Sequence, residues 1–344
     1  MSGEAASFMR SEILEIPEAA ARFLDGARGE LRAASAALTD RNPDLFVTVA
    51  RGSSDHAATY FKYAAELGAG LPVASVGPSV ASIYHRRLRL GRAAAIGISQ
   101  SGQSADIVEM MRSAAAGGAL TLAITNFAES PVGRAVDHTL ALRVGAERSV
   151  AATKTFVVSV LAGLALLAEW QGDGALARAV AAAPEAFARA LDCDWGPLAD
   201  RLAEADSLFV LGRGPGFAIA SEIALKFKET CGVHAESYSA AEVMHGPAAL
   251  VRARFPILAL GVEDEALPQV VGTAERLAGQ GADVYLTGGA AAGAVTLPGV
   301  GGLHRRLAPL ALIVSFYVFV EALARRRGLD PDEPPNLRKV TSTL

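Results

Sequence analysis

Two stretches of this chain repeat one another. Leu45-Phe46-Val47-Thr48-Val49-Ala50-Arg51-Gly52 and Leu208-Phe209-Val210-Leu211-Gly212-Arg213-Gly214 are both apolar runs that end in Arg-Gly. Each leads into a helical stretch. A continuous apolar run of this length reads as a strand buried on both faces, which is how parallel sheets read. The order of elements downstream of each run repeats as well. After the first, strands are predicted over 72–76, 93–98, 120–125 and 139–144, with helices over 55–67, 105–116 and 153–170. After the second come strands over 257–261 and 283–287 and a helix over 307–325. Strand and helix alternate, so each half is predicted to be an α/β unit: a parallel sheet with helices on both faces.

With 344 residues the chain has room for two such units at roughly 100–200 residues each. We expect an N-terminal helical segment over 1–40, units over 41–175 and 195–328, and a tail over 329–344. Hydrophobic residues make up 51%, ample for two cores. The formal net charge of −4 gives no basic excess that would point to nucleic acid. Cys193 and Cys231 form neither a CxxC pair nor a metal-ligand spacing, so a reducing cytoplasm fits best. The N-terminus lacks the basic-then-apolar pattern of a signal peptide. The apolar run 307–320 falls short of the roughly 20 residues a bilayer span needs, so it is expected to be a buried helix, with no membrane partner. The Pro-rich tail cannot be helical over 331–335. It is either a solvated end or a segment folded over a site.

Ligands of open α/β sheets lie outside the C-terminal strand ends. Ser99-Gln100-Ser101-Gly102-Gln103-Ser104 stands at such an end and opens a helix. A dianionic phosphate needs several donors and a positive field. The hydroxyls of Ser99, Ser101 and Ser104 supply donors, Gly102 lets the amides converge, and the helix start supplies the field. Asp106 would repel a phosphate, so it is expected to face outward. Ser-rich turns also serve as plain helix caps. Two further donor-rich helix starts weigh against capping alone: Gly52-Ser53-Ser54, and Val150-Ala151-Ala152-Thr153-Lys154. We therefore expect a sugar phosphate held by the Ser99–Ser104 loop.

In the second half, Glu222, Lys226 and Glu229 fall at i, i+4 and i+7, on one helix face. They could be no more than a solvated ion pair with a neighbour. His234 and the turn Met244-His245-Gly246-Pro247 come shortly after, and either histidine could be structural. Opening a sugar ring near neutral pH suits a histidine. Moving a proton between C2 and C1 needs one carboxylate base. Charge on the carbonyl or imine needs a cation such as lysine. These residues match a sugar isomerisation that needs no metal and no cofactor.

In order along the chain, these motifs, with Glu236 and Asn336-Leu337-Arg338-Lys339, resemble the sugar isomerase (SIS) domain family, above all the isomerase half of glucosamine-6-phosphate synthases. The resemblance runs from Met9 to Leu344 and implies two tandem SIS domains, each three-layered and flavodoxin-like. By this resemblance Ser53, Ser99, Gln100, Ser101 and Ser104 bind the phosphate, and Val150 and Ala152 approach the sugar hydroxyls through backbone. Glu229 shuttles the proton between C1 and C2, with Lys226 supporting it, and Glu222 is counted with the substrate-binding residues. His245 opens and closes the ring from a neighbouring subunit, which makes the active unit a homodimer. Lys339, on the tail, reaches the carbonyl carbon.

The sequence also departs from those synthases. Arg51 stands where they have Cys, and Gln103 where they have Glu. Their glutaminase begins with a nucleophilic Cys, whereas here Met1 is followed by Ser2 and about 40 residues precede the first strand. The ending looks more like that of stand-alone deaminases of the superfamily. The expectation is an isomerising deaminase that turns glucosamine 6-phosphate and water into fructose 6-phosphate and ammonia. The alternatives are the synthase-type aminotransferase reaction with a separate glutaminase, an isomerase or deaminase of another sugar phosphate, and a non-enzymatic sugar-phosphate sensor.

Overall fold

A computed structural model of the chain describes residues 6–339; the two ends, 1–5 and 340–344, lie outside the described residues, and with them the last part of the predicted tail. The chain divides into two compact units. The first-sheet unit comprises Pro17–Glu147 and Lys154–Pro184. The second-sheet unit comprises the residues up to Ile16, the short segment Arg148–Thr153, and Glu185–Lys339.

The helices that matter here are α1 (Phe8–Leu14), α2 (Ser53–Ala69), α3 (Ala105–Ala116), α4 (Lys154–Gln171), α5 (Pro215–Cys231), α6 (Leu267–Gly279) and α7 (Ala308–Arg326). In the first-sheet unit the strands are β1 (Leu45–Val49), β2 (Val73–Ser75), β3 (Ala93–Ile98), β4 (Leu120–Thr125) and β5 (His138–Ala141). They run parallel in the order β2-β1-β3-β4-β5. In the second-sheet unit they are β6 (Ser207–Gly212), β7 (His234–Ser239), β8 (Pro256–Leu260), β9 (Asp283–Thr287) and β10 (Ala294–Thr296). These are also parallel, in the order β10-β9-β8-β6-β7. Read from the β7 edge, the second order is the first one over again. The duplicated α/β architecture expected from the two Arg-Gly strands is therefore present.

The repeat extends to backbone angles. Gly52 precedes α2 at φ 55°, ψ −134°, and Gly214 precedes α5 at φ 55°, ψ −133°. A β-carbon is strained in that conformation, which accounts for glycine at both turns. The strands are sandwiched as their apolar runs require. Phe46 of β1 meets Phe61 of α2 edge-on at 5.2 Å and Trp170 of α4 at 5.5 Å. Truncating such a buried ring costs about 3–5 kcal/mol.

Two sequence expectations change. Strands β7 and β10 were not anticipated, because they read as polar or short: His-Ala-Glu-Ser-Tyr-Ser and Ala-Val-Thr. Edge position alone is not the reason, since β2 and β5 are edges too and are predicted; β7 is mostly polar and β10 has only three residues. Strand β5 ends at Ala141, three residues short of the predicted 144. The helix predicted over 307–325 is present as α7, Ala308–Arg326. Both α4 and α7 are long and apolar enough to cross a membrane, yet 83% and 78% of their apolar windows are buried inside the protein. Both cysteines are free.

Candidate functional site

Strand β3 delivers the hydroxyl loop. All six of its residues are buried, and the chain leaves it directly into Ser99. Backbone bonds fix the loop from β4: Ser99 N donates to Ile124 O at 3.1 Å, and Asn126 N donates to Gln100 O at 3.1 Å. The Ser99 hydroxyl accepts from Gly102 N at 3.2 Å, and the Ser101 hydroxyl accepts from Gln103 N at 3.3 Å. Gly102 takes φ 64°, and a β-carbon there would come within 2.1 Å of Ser130 Oγ. Ser104 occupies the N-cap of α3, but its hydroxyl makes no capping bond. Of the three serines, then, Ser99 and Ser101 brace the turn locally, and Ser104 makes no cap bond. Ser53 opens α2 at the end of β1, the neighbouring strand.

Asp106 corrects its expectation. It is 1% exposed, not outward-facing, and its carboxylate pairs with the Arg51 guanidinium through both Nε and Nη2. Its other oxygen accepts from Ile107 N at 2.9 Å. Arg51 thus neutralises a carboxylate that would otherwise oppose an anion at the start of α3. The sequence flagged Arg51 only as a departure; this pairing supplies a physical reason for it.

In the second-sheet unit α5 carries the charged face. Glu222 and Lys226 are both 0% exposed, so the solvated-pair explanation is excluded. Lys226 Nζ lies 3.1 Å from Glu222 Oε1 and 2.6 Å from Glu229 Oε2. Burial pushes the Lys226 pKa down, but Glu222 and Glu229 outweigh it and hold the ammonium well above the ordinary lysine range. Glu229 keeps 20% of its side chain exposed and is the one member that reaches solvent. Its Oε1 has no hydrogen bond among the described residues. Breaking a buried pair by removing one partner costs about 3–5 kcal/mol. Sequence reasoning missed Tyr317, whose hydroxyl donates to Glu222 Oε1 at 3.2 Å from α7. The available signal was a tyrosine hydroxyl in the apolar stretch Leu310–Val320 of that helix, since such a group needs a partner.

The segment Arg148–Thr153 packs in the same unit as α5. Val150 N donates to Asp332 O of the tail at 3.2 Å, and Lys339 Nζ donates to Ser149 O at 2.7 Å. Of the two readings of the tail, this favours a folded segment over a solvated end. Ala152 is half-buried beside them. His245 stands exposed on a turn after β7. Among the described residues no hydrogen bond or ion pair joins it to Lys226 or Glu229. No group of three or more His, Cys, Asp or Glu among the described residues could hold a metal ion.

Comparison with known proteins returns one family. The SIS domain model matches residues 41–169 and 201–287. A glutamine–fructose-6-phosphate aminotransferase (isomerizing) of Halobacterium salinarum is 35% identical across 96% of this chain. The chain spans 58% of that relative's length. A structure described as a candidate phosphosugar isomerase from Silicibacter pomeroyi is 50% identical, with TM-score 0.92 over 95% of this chain and 100% of that one. A glucosamine-6-phosphate deaminase from Thermotoga maritima shares the fold at TM-score 0.78 and 21% identity, over 98% of this chain and 100% of that one.

Proposed function

The chain belongs to the SIS domain family, and from that premise we propose that it is an isomerising deaminase, turning glucosamine 6-phosphate and water into fructose 6-phosphate and ammonia. The observation that carries the reading is the buried Lys226, held between two carboxylates of which only Glu229 reaches solvent. A proton shuttle needs such a carboxylate, fixed on one oxygen and open on the other.

In this reading the phosphate rests on Ser53, Ser99, Gln100, Ser101 and Ser104. The backbone of Val150 and Ala152 meets the sugar hydroxyls. His245, supplied by a second copy of the chain in a homodimer, moves the proton that opens the ring and frees the C1 aldehyde. Glu229 takes the proton from C2, leaving an enolamine, and returns it to C1. The oxygen on C1 takes up a proton as the nitrogen gives one up, and the product is an imine at C2 beside a C1 hydroxyl. Water adds to that carbon, the C2–N bond breaks, and ammonia leaves a ketone behind. Lys226, charged throughout the neutral range, holds Glu229 through Oε2 and offsets negative charge on the enolamine oxygen. Lys339 faces the carbonyl carbon. The reaction belongs to cytoplasmic amino-sugar metabolism.

A second reading has one specific support, the relatives that are glutamine–fructose-6-phosphate aminotransferases: formation of glucosamine 6-phosphate from fructose 6-phosphate and an amino donor. Both readings use the same proton transfer in opposite directions. Purified protein is given glucosamine 6-phosphate, and ammonia and fructose 6-phosphate are assayed. In parallel it is given fructose 6-phosphate with glutamine. The expected result is release of both products in the first arm, lowered roughly 10²–10⁴-fold in Glu229→Gln. Equal rates for Glu229→Gln and the wild type would overturn it, and product in the second arm alone would favour the aminotransferase.

A further inference from the structure

We infer that Glu12 is a positioning residue, which from helix α1 sets the 148–153 loop and through it the docking of Lys339. The inference rests on the roles proposed for Val150, Ala152 and Lys339 in the deaminase reaction. Helix α1 lies outside the residues that the SIS model matches, which begin at residue 41.

Glu12 is 4% exposed, and it points at the backbone of a loop 136 and 137 residues further on. Arg148 N donates to its Oε1, and the Ser149 hydroxyl lies in hydrogen-bond contact with its Oε2. Ser149 N lies 3.3 Å from Oε2 and 3.4 Å from Oε1. One carboxylate therefore gathers consecutive loop donors. Hydrogen bonds to an ionised acceptor are the strong ones, and their loss leaves buried donors unsatisfied. The same Ser149 turns its carbonyl to Lys339 Nζ at 2.7 Å. Glu12 and Lys339 thus hold the amide and the carbonyl of a single residue.

The rest of α1 fixes the geometry from the other side. Phe8 N and Met9 N both donate to the Asp332 carboxylate at 2.7 Å, and Asp332 O accepts from Val150 N at 3.2 Å. Helix, loop and tail close a ring of contacts around Val150. Met9 and Ile13, both 0% exposed, anchor the helix by packing, so Glu12 is not needed to seat it. A buried carboxylate that binds loop amides instead of serving its own helix is explained by what the loop must hold.

The test is Glu12→Gln, which keeps the side chain's shape but sets an NH2 group against amide donors. Tail docking is read by trypsin cleavage after Arg338 and Lys339, which needs no turnover. The expected result is cleavage several-fold faster than in the wild type, and a kcat lower by about tenfold to a hundredfold at nearly unchanged KM, as a misplacement near 1 Å produces. Glu12→Asp should restore part of both. Ile13→Val serves as the packing control; it should lower the melting temperature and leave cleavage and kcat unchanged. Wild-type cleavage and kcat in Glu12→Gln would overturn the inference, as would equal effects from Ile13→Val. If the wild type turns over no sugar phosphate, the function reading fails, and the cleavage result still decides whether Glu12 docks the tail.

Discussion

The two sheets have one strand order, yet the loops that leave their matching strands are chemical opposites. After β3 the chain reads Ser99-Gln100-Ser101-Gly102-Gln103-Ser104, and after β8 it reads Gly261-Val262-Glu263-Asp264-Glu265-Ala266. In the first loop the N-cap hydroxyl makes no cap bond. In the second, Asp264 accepts from Ala266 N at 2.9 Å, so the amide just before α6 is answered by the chain's own carboxylate. Both folds present amides and a helix start at the strand end, the usual place for an anion. The side chains then decide whether an anion is admitted. The topology alone binds nothing.

The largest effect is expected from making the first loop resemble the second. Ser101→Asp places a carboxylate where a phosphate is to rest, and like charges at such range cost several kcal/mol. KM for glucosamine 6-phosphate should rise by more than about a hundredfold, a loss of roughly 2.7 kcal/mol in binding. Unchanged KM would mean that the loop does not hold the phosphate. Gly102→Ala comes next. It forces a β-carbon into φ 64° and within 2.1 Å of Ser130 Oγ. The left-handed conformation alone costs about 1–2 kcal/mol. The expected outcome is a KM raised about tenfold with kcat retained, read by steady-state kinetics on protein of checked fold.

The same contrast explains what could be read from the sequence. The strands β1, β3, β6 and β8 announce themselves because buried parallel strands must be apolar throughout. The hydroxyl loop is legible because three serines around a glycine are contiguous. The α5 face is legible as a spacing, but not as a buried cluster, since i, i+4 periodicity says nothing about what covers it. Tyr317 covers it from nearly a hundred residues away. The contacts of Arg51 with Asp106 and of Glu12 with Ser149 are long-range pairings of charged groups, and no local pattern encodes a partner. Strand β7 is mostly polar and β10 has only three residues, so neither leaves an apolar run to read.

The smallest effect lies in the second loop and tests the contrast from the other side. Burial raises the Asp264 pKa, against backbone hydrogen bonds from Ala266 and Leu267 that lower it. Because the folded value lies above the unfolded 3.8, folding holds the proton more tightly than the unfolded chain does. Asp264 therefore costs stability as pH rises from 3.8 through its folded value, and contributes no such cost below that window. Asn keeps the shape and can accept the same Ala266 N–H bond, and it removes the charge. Asp264→Asn should melt at a lower or equal temperature relative to the wild type near pH 3 and gain on it by neutral pH, while KM for the sugar phosphate stays where it was. A fall in KM on removing this charge would show that the acidic loop also faces the substrate, and the division of labour between the two loops would have to be redrawn.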